Sequence, residues 1–451
     1  MLAERAQRRF AFHPTQVVLF GYLALILTGT ALLDTPWASA SGKSIGFVDA
    51  LFTATSAVCV TGLTVLDTAT AFTDFGRVVI LVLIQLGGLG IMAVAGLVGL
   101  TIFRRLSKRS SSLISTEFRA TVDGKGSIRD MVGRIAIVVF SIEAIGAVIL
   151  MVWLGSHYKM SVGEAAWSGV FHAVSAFNNA GFSLYTDNFI GFVSDPVVSL
   201  TIAGLIILGG LGFPVIMEIR RLGWAPLKWS MHFKIVIVMT ALLLVGGTFY
   251  IAVLEWNNPG TLGPLEAPSK ILAAFFQSVQ TRTAGFNSVD ISAMYTETWF
   301  GMDILMFIGA GPAGTAGGIK ITTFAVLLAI VITELRGDAA VNIFGKRLSR
   351  AVHRQAITIA LLAVGVVMAS TVFMQLVTDI DLDRLFFEVI SAFGTVGLST
   401  GITSTLPDAA LYNLIALMII GRIGTLTLGS ALILQHRVLH YELPKERPLI
   451  G

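Results

Sequence analysis

The sequence predicts an all-α polytopic membrane protein made of four tandem copies of one unit around a pseudo-fourfold pore. Three observations carry that prediction. The chain of 451 residues is 55% apolar and only 13% charged, with a mean hydropathy of +0.82. Soluble domains carry roughly 25% charged residues. Four stretches share one template: Phe52-TATSAVCVT-Gly62, Phe171-HAVSAFNNA-Gly181, Phe275-FQSVQTRTA-Gly285 and Phe387-EVISAFGTV-Gly397. Long and short apolar runs also alternate in a fixed order along the whole chain.

The long run 17–33 opens the first unit. It ends in Asp34-Thr35-Pro36-Trp37 without a small-x-small cleavage site, so it reads as a membrane helix rather than a leader. A short run at 46–57, the first glycine motif and a long run at 79–103 complete the unit. The order returns as 132–154, 163–177 and 197–217, then as 233–254, 268–279 and 300–333, and last as 355–378, 384–393 and 410–434. Runs of about 10–14 apolar residues are too short to span and read as re-entrant. Each unit is therefore expected to be outer helix, pore helix, descending loop and inner helix. The expected boundaries are 1–107, 108–223, 224–340 and 341–451, with eight spanning helices and both termini on one side.

Charge gives the orientation. The loops expected on the side of the termini hold 23 of the 31 Lys and Arg residues, and the opposite side holds six, with Arg282 counted among them. Lysine and arginine are enriched in cytoplasmic loops, which places both termini in the cytoplasm. The outer loops carry Asp67, Asp187, Asp195, Glu255 and other acids. A negative entrance concentrates cations. No basic–aromatic interleaving points to nucleic acid. Cys59 is the single cysteine, which excludes an intramolecular disulfide and a cysteine-based metal cluster. His436 and His440 are four residues apart, but at a basic C-terminal end that favours a plain helix face over a metal site.

The glycine motifs have the chemistry of a cation filter. An irregular backbone at membrane depth survives only in a protein-lined or aqueous path. There, carbonyl oxygens can replace the hydration shell of a monovalent cation. Glycine permits the left-handed conformations that turn successive carbonyls to one side. The carboxyl end of the helix before each motif adds about half a negative charge. The expected filter strands are Val60-Thr61-Gly62, Asn179-Ala180-Gly181, Thr283-Ala284-Gly285 and Thr395-Val396-Gly397. A large apolar residue follows each glycine, and then a hydroxyl or amide: Thr64, Ser183, Asn287 or Ser399.

The run 300–333 is interrupted by Gly309-Ala310-Gly311-Pro312-Ala313-Gly314-Thr315-Ala316-Gly317-Gly318. The match to G-x-G-x-x-G is discounted, because a dinucleotide fingerprint needs a preceding strand and a βαβ unit. Five glycines and a proline in ten residues cannot hold a helix. Residues 309–318 are expected to form a gate beneath the filter, with Lys320 directly after it. The other inner runs carry Gly87-Gly88-Leu89-Gly90, Gly209-Gly210-Leu211-Gly212 and Gly421-Arg422-Ile423-Gly424. Arg422 replaces the second glycine of that pattern. A charge at this depth costs about 2.5–3.5 kcal/mol on insertion scales and marks a functional site by default. Arg422 can donate to gate carbonyls or pair with Glu143. The Gly88 and Gly210 tetrads are expected to allow close helix packing.

SAVCVTGL, SAFNNAGFS, TRTAGFNS and SAFGTVGLSTG resemble the filter motifs of the Trk/Ktr/HKT superfamily of potassium transporters, over essentially the whole chain. With no room for two extra N-terminal helices, the chain looks like the KtrB type. The resemblance implies potassium as the transported ion at the filter residues, a gate loop in the third copy and an arginine opposite it. It also implies a homodimer in the bacterial cytoplasmic membrane and a cytosolic RCK-type (KtrA-like) ring binding nucleotide. The Ser-rich loop 104–131 is a plain connector or a docking site for such a ring. Gly62, where sodium-passing relatives often have Ser, ties the chain to potassium. No organic cofactor is expected on this chain. The alternatives are a broken-helix carrier for another small cation or solute and an intramembrane enzyme using Glu143, Lys320 and Arg422.

Overall fold

The computed structural model describes residues 14–107, 128–223 and 225–424. The described elements recur in one order. Helices α1 (Pro14–Leu33), α2 (Phe47–Val58) and α3 (Asp74–Ser107) come first, then α4 (Ile128–His157), α5 (Val162–Phe177) and α6 (Pro196–Leu211). A short helix, α7 (Phe213–Leu222), follows α6. The third set is α8 (Met231–Glu255), α9 (Ala267–Gln280), α10 (Thr296–Phe307) and α11 (Ile321–Arg336). The last is α12 (Arg350–Val377), α13 (Leu382–Gly394) and α14 (Asp408–Ile419), which runs into a π turn at Ile420–Gly424. A small hairpin pairs Asn342–Ile343 with Lys346–Arg347.

The outward faces of the long helices are apolar and exposed. Ile145, Phe249 and Leu361 are 62%, 71% and 68% exposed. Large bare apolar surface is unstable in water and is covered in a membrane protein by lipid. Among the described residues, Val132–His157, Met231–Glu255 and Arg350–Val377 are long and apolar enough to cross a membrane. A fourth candidate is the pair Pro196–Leu211 and Phe213–Leu222, bent by 96°. This is fewer than the eight expected spans. Among the described residues the third inner run is cut into helices of 12 and 16 residues, each short of the ~20 residues a span needs.

The short helices α2, α5, α9 and α13 form the centre. Their caps differ in chemistry but serve the same end. Ser161 and Glu164 form a capping box on α5, and Pro268 occupies the first turn of α9. Phe52, Phe171 and Phe387 are fully buried. In the third copy Phe276, not the template's Phe275, takes the deep position. The core falls into two large clusters. One is drawn mainly from the first two sets, and the other joins the last two to Phe52, Cys59 and Leu63.

The second inner run is not one helix as the sequence predicts. It breaks at Gly212, which adopts φ +89. Pro214 has no N–H to give the Gly210 carbonyl. The freed groups find partners in the third copy: Gly311 N donates to Gly210 O at 2.8 Å, and Thr315 N to Gly209 O at 3.2 Å. Phe213 N turns away from Gly209 O and donates to Ala313 O at 3.2 Å.

Candidate cation filter and gate

The four expected filter strands meet. A Cβ built on Gly62 would stand 3.0 Å from the Cα of Gly181, and one on Gly181 2.9 Å from the Cα of Gly285. From Gly285 the distance to the Cα of Gly397 is 3.1 Å, and from Gly397 to that of Gly62 it is 3.0 Å. The glycines thus close a ring in chain order, each against the next backbone, with no room for a side chain inside it.

Backbone conformation in the ring alternates. Gly62, Gly181, Gly285 and Gly397 have φ of +91, +71, +77 and +93. Two residues earlier, Val60, Asn179, Thr283 and Thr395 have φ of +55, +59, +65 and +49, while Thr61, Ala180, Ala284 and Val396 between them do not share the positive sign. Alternating signs turn successive carbonyls the same way, and left-handed non-glycine residues cost energy that the surroundings must offset. The amide hydrogens are tied back into the short helices. Thr61 N donates to Ser56 O at 2.8 Å, Ala180 N to Ser175 O at 2.7 Å and Val396 N to Ser391 O at 2.8 Å. In the third copy Ala284 N reaches Gln280 O at 3.1 Å. The buried hydroxyls of Thr61, Thr283 and Thr395 have no protein partner among the described residues. Leu63, Phe182, Phe286 and Leu398 wedge the ring from outside, all at most 1% exposed.

Outside the ring lies a cavity of about 330 Å³ lined by all four glycines, by Thr64, Ser183, Asn287 and Ser399, and by the carboxylates Asp67 and Asp187. Two of the outer acids serve structure instead. Asp195 accepts from Trp153 Nε1 at 2.8 Å and Tyr158 OH at 2.9 Å. Glu255 accepts from Asn258, Thr261, Tyr295 and Thr298.

Beneath the ring runs the unwound stretch between α10 and α11. It is pinned by backbone bonds, Gly309 N to Ile319 O at 2.7 Å and Ile321 N to Ala310 O at 3.1 Å. Three cationic side chains donate to its carbonyls. Arg422, 1% exposed, donates from Nη1 to Thr315 O. Lys320 Nζ donates to Ala316 O at 2.5 Å, and Arg282 Nη2 to Gly309 O at 3.0 Å. The Thr315 hydroxyl stands 2.9 Å from the Asn179 side-chain amide, and a Cβ on Gly317 would meet the Gly394 carbonyl at 2.9 Å. Residues 309–318 therefore touch the pore loops of the second, third and fourth copies. Pro312 and Gly314 lie against the break in the second inner run, and Gly318, at φ +63, turns the chain out towards α11.

The sequence model of the TrkH cation transport protein family matches residues 5–438. The Ktr system potassium uptake protein B of Bacillus subtilis is 40% identical over 92% of this chain and 92% of its own length. The chain belongs to the Trk/Ktr superfamily, in its KtrB type. The Vibrio alginolyticus protein of the same name is also 40% identical, over 92% of this chain and 90% of its own. The potassium/sodium uptake protein NtpJ of Enterococcus hirae is 34% identical over the full length of both. The crystal structure of the potassium transporter TrkH from Vibrio parahaemolyticus superposes with a TM-score of 0.72 at 18% identity, covering 93% of this chain and 85% of that one. This Trk/Ktr member is a membrane transport protein and not an enzyme.

Several groups in this member depart from the sequence reading. Arg282, counted with the outer cations, is buried and bonded to the unwound stretch. Its signal was its position, three residues before the filter glycine, where the other copies hold Cys59, Asn178 and Gly394. Glu143 does not pair with Arg422. It accepts from Asn178 Nδ2 at 2.9 Å and Gln85 Nε2 at 3.2 Å. Ser56 and Ser391 hold the filter glycines directly, their hydroxyls accepting from Gly62 N at 3.0 Å and Gly397 N at 3.1 Å. The serine recurring six residues before the glycine in three copies was their signal. Among the described residues no group of three His, Cys, Asp or Glu side chains is placed to hold a metal ion. Most of the 104–131 loop, and His436 and His440, lie outside the described residues.

Proposed function

We propose that this chain takes up potassium across the bacterial cytoplasmic membrane through the four-glycine ring, under control of the stretch 309–318. The closed ring carries the reading. Four carbonyl-bearing strands converge at contact distance, behind four helix C-termini and below a cavity open to two carboxylates. Such a site favours a dehydrated monovalent cation by carbonyl coordination and helix-end charge. The relatives named for potassium uptake support potassium as the ion, and the name of the Enterococcus hirae relative motivates a role for sodium, as co-ion or competitor.

The gate reading rests on how the stretch is held. A potassium ion passing it needs carbonyl oxygens, and Arg422, Lys320 and Arg282 already engage three of them. Hydrogen bonds to charged donors are worth about 1.5–3 kcal/mol each, and fixed positive charges beneath the filter raise the energy of a cation there. In this reading the chain comprises four units at 1–107, 108–223, 224–340 and 341–451 with eight spans, both termini cytoplasmic. It works as a homodimer on a cytosolic RCK-type ring that binds nucleotide. The excess of Lys and Arg in the loops on the side of the termini supports that orientation.

Expression in cells lacking potassium uptake, with a Ktr-type cytosolic partner, should restore growth at low external potassium. Removing 311–317, or Arg422→Ala, should raise flux by about tenfold or more, the value of one lost charge-assisted bond. No rescue despite confirmed membrane expression would contradict the transport reading, and unchanged flux in both variants would contradict the gate.

A further inference from the structure

We propose that Arg282 is a positioning residue that ties the third filter strand to the base of the unwound stretch, so that filter and gate move together. The inference deepens the gate reading above and rests on it.

The residue three before each filter glycine is where each pore loop meets its surroundings. Asn178 bonds Gln85 and Glu143 at 3.0 and 2.9 Å. Cys59 is fully buried, packed in the core cluster of the last two sets. Gly394 leaves room for the Met306 carbonyl, which a Cβ there would meet at 2.9 Å. Only the third copy places a cation at this position, and among the described residues the unwound inner segment that receives it belongs to the same copy.

Arg282 is 4% exposed and its Nη2 donates to the carbonyl of Gly309 at 3.0 Å. Nη1 has no hydrogen-bond partner among the described residues. No carboxylate among those residues forms an ion pair with Arg282. A buried guanidinium with a single partner is costly. If it served packing alone, an apolar side chain of similar length would cost less. The adjoining cavity, bounded by Gly210, Thr240, Ala310 and Arg282, is about 10 Å³, the room of about one water. The side chain is therefore confined on the gate side.

Its target is the pivot of the stretch. Gly309 lies two residues beyond α10, next to the parallel bridge Ile308–Ile319, and its N–H donates to Ile319 O in closing the stretch. At its other end, Arg282 is followed directly by Thr283 and Ala284 of the filter. A shift of Gly309 thus reaches the filter backbone through one side chain and one peptide bond. Arg422 holds the middle of the stretch, through the carbonyl of Thr315. The two arginines therefore restrain different parts of one element.

The test is rubidium-tracer uptake by the purified full-length protein in proteoliposomes, comparing Arg282→Gln and Arg282→Lys with Arg422→Ala and the 311–317 deletion. Arg282→Gln should raise maximal flux by about tenfold with the half-saturating potassium concentration and the potassium-to-sodium ratio unchanged. Arg282→Lys, which keeps a charged donor, should restore most of the closure. In the deletion background Arg282→Gln should add nothing, which also serves if the single variant is poorly recovered. A fall in potassium-to-sodium ratio without a rise in flux would show that Arg282 only shapes the filter, and would overturn the proposal. So would a further rise in the deletion background, or normal flux in Arg282→Gln while Arg422→Ala and the deletion both conduct more. If neither control conducts more, the gate reading itself fails.

Discussion

Gly62 occupies a conformation and a space that only glycine fits. Its φ is +91, and a Cβ would stand 3.0 Å from the Cα of Gly181 and press on the Ala180 carbonyl. Ser at this position must push the first strand out of the ring, widening it on one side. Gly62→Ser should therefore lower the potassium-to-sodium flux ratio by about tenfold, the equivalent of losing roughly 1.4 kcal/mol of discrimination. Competition uptake with the two ions checks this, and an unchanged ratio would place selectivity elsewhere. The four glycines were legible because the template repeats, and each copy lends weight to the others. Arg282 was not legible as a buried group. A cation three residues before a filter glycine looks like any cation of an outer loop until the carbonyl of Gly309 is seen beside it. Ser56 and Ser391 stood inside the quoted motifs, and their recurrence six residues before the glycine in three copies was the visible trace of the bond each accepts from that glycine.

The same tetrad takes four forms in the four inner segments. Gly87-Gly88-Leu89-Gly90 stays helical within α3, and Gly88 gives space to the side chain of Asn178. Gly209-Gly210-Leu211-Gly212 ends α6 in a bend of 96°. Gly309-Ala310-Gly311-Pro312 is unwound. Gly421-Arg422-Ile423-Gly424 lies in a π turn, a form that recurs at functional sites. The first two tetrads are identical in sequence, so the difference between a straight and a broken helix lies in the residues immediately after them. Ile91-Met92 continues the hydrogen-bond ladder, whereas Pro214 cannot. The third copy then takes the carbonyls that the second releases. That partnership joins segments about a hundred residues apart, and no local pattern encodes it. The unwound stretch is accordingly held by groups of the second, third and fourth copies. Gly212→Ala should cost about 1–3 kcal/mol in strain and push the Pro312 carbonyl away. The expected outcome is a lower melting temperature together with raised basal flux. Lower stability with flux unchanged would mean that the break only supports the fold.

Across the molecule, symmetry and asymmetry are layered. The ring above is nearly symmetric, since a Cβ built on any of its glycines would stand 2.9–3.1 Å from the next glycine's Cα, while the described layer below holds an unbroken helix, a bend, an unwound stretch and a π turn. A single chain of diverged copies can combine the two, because each copy is free to change beneath a ring that tolerates no change. Identical subunits could not place Arg422 in one copy opposite an unwound segment in another. The central claim is that the ring of glycines holds the transported ion, and it is tested most directly by anomalous diffraction from crystals of the full-length protein grown in rubidium. The account predicts rubidium on the axis between the strands ending at Gly62, Gly181, Gly285 and Gly397, displaced by excess potassium. Rubidium bound only at the buried carboxylates Glu143 or Asp303, with none on the axis, would contradict it.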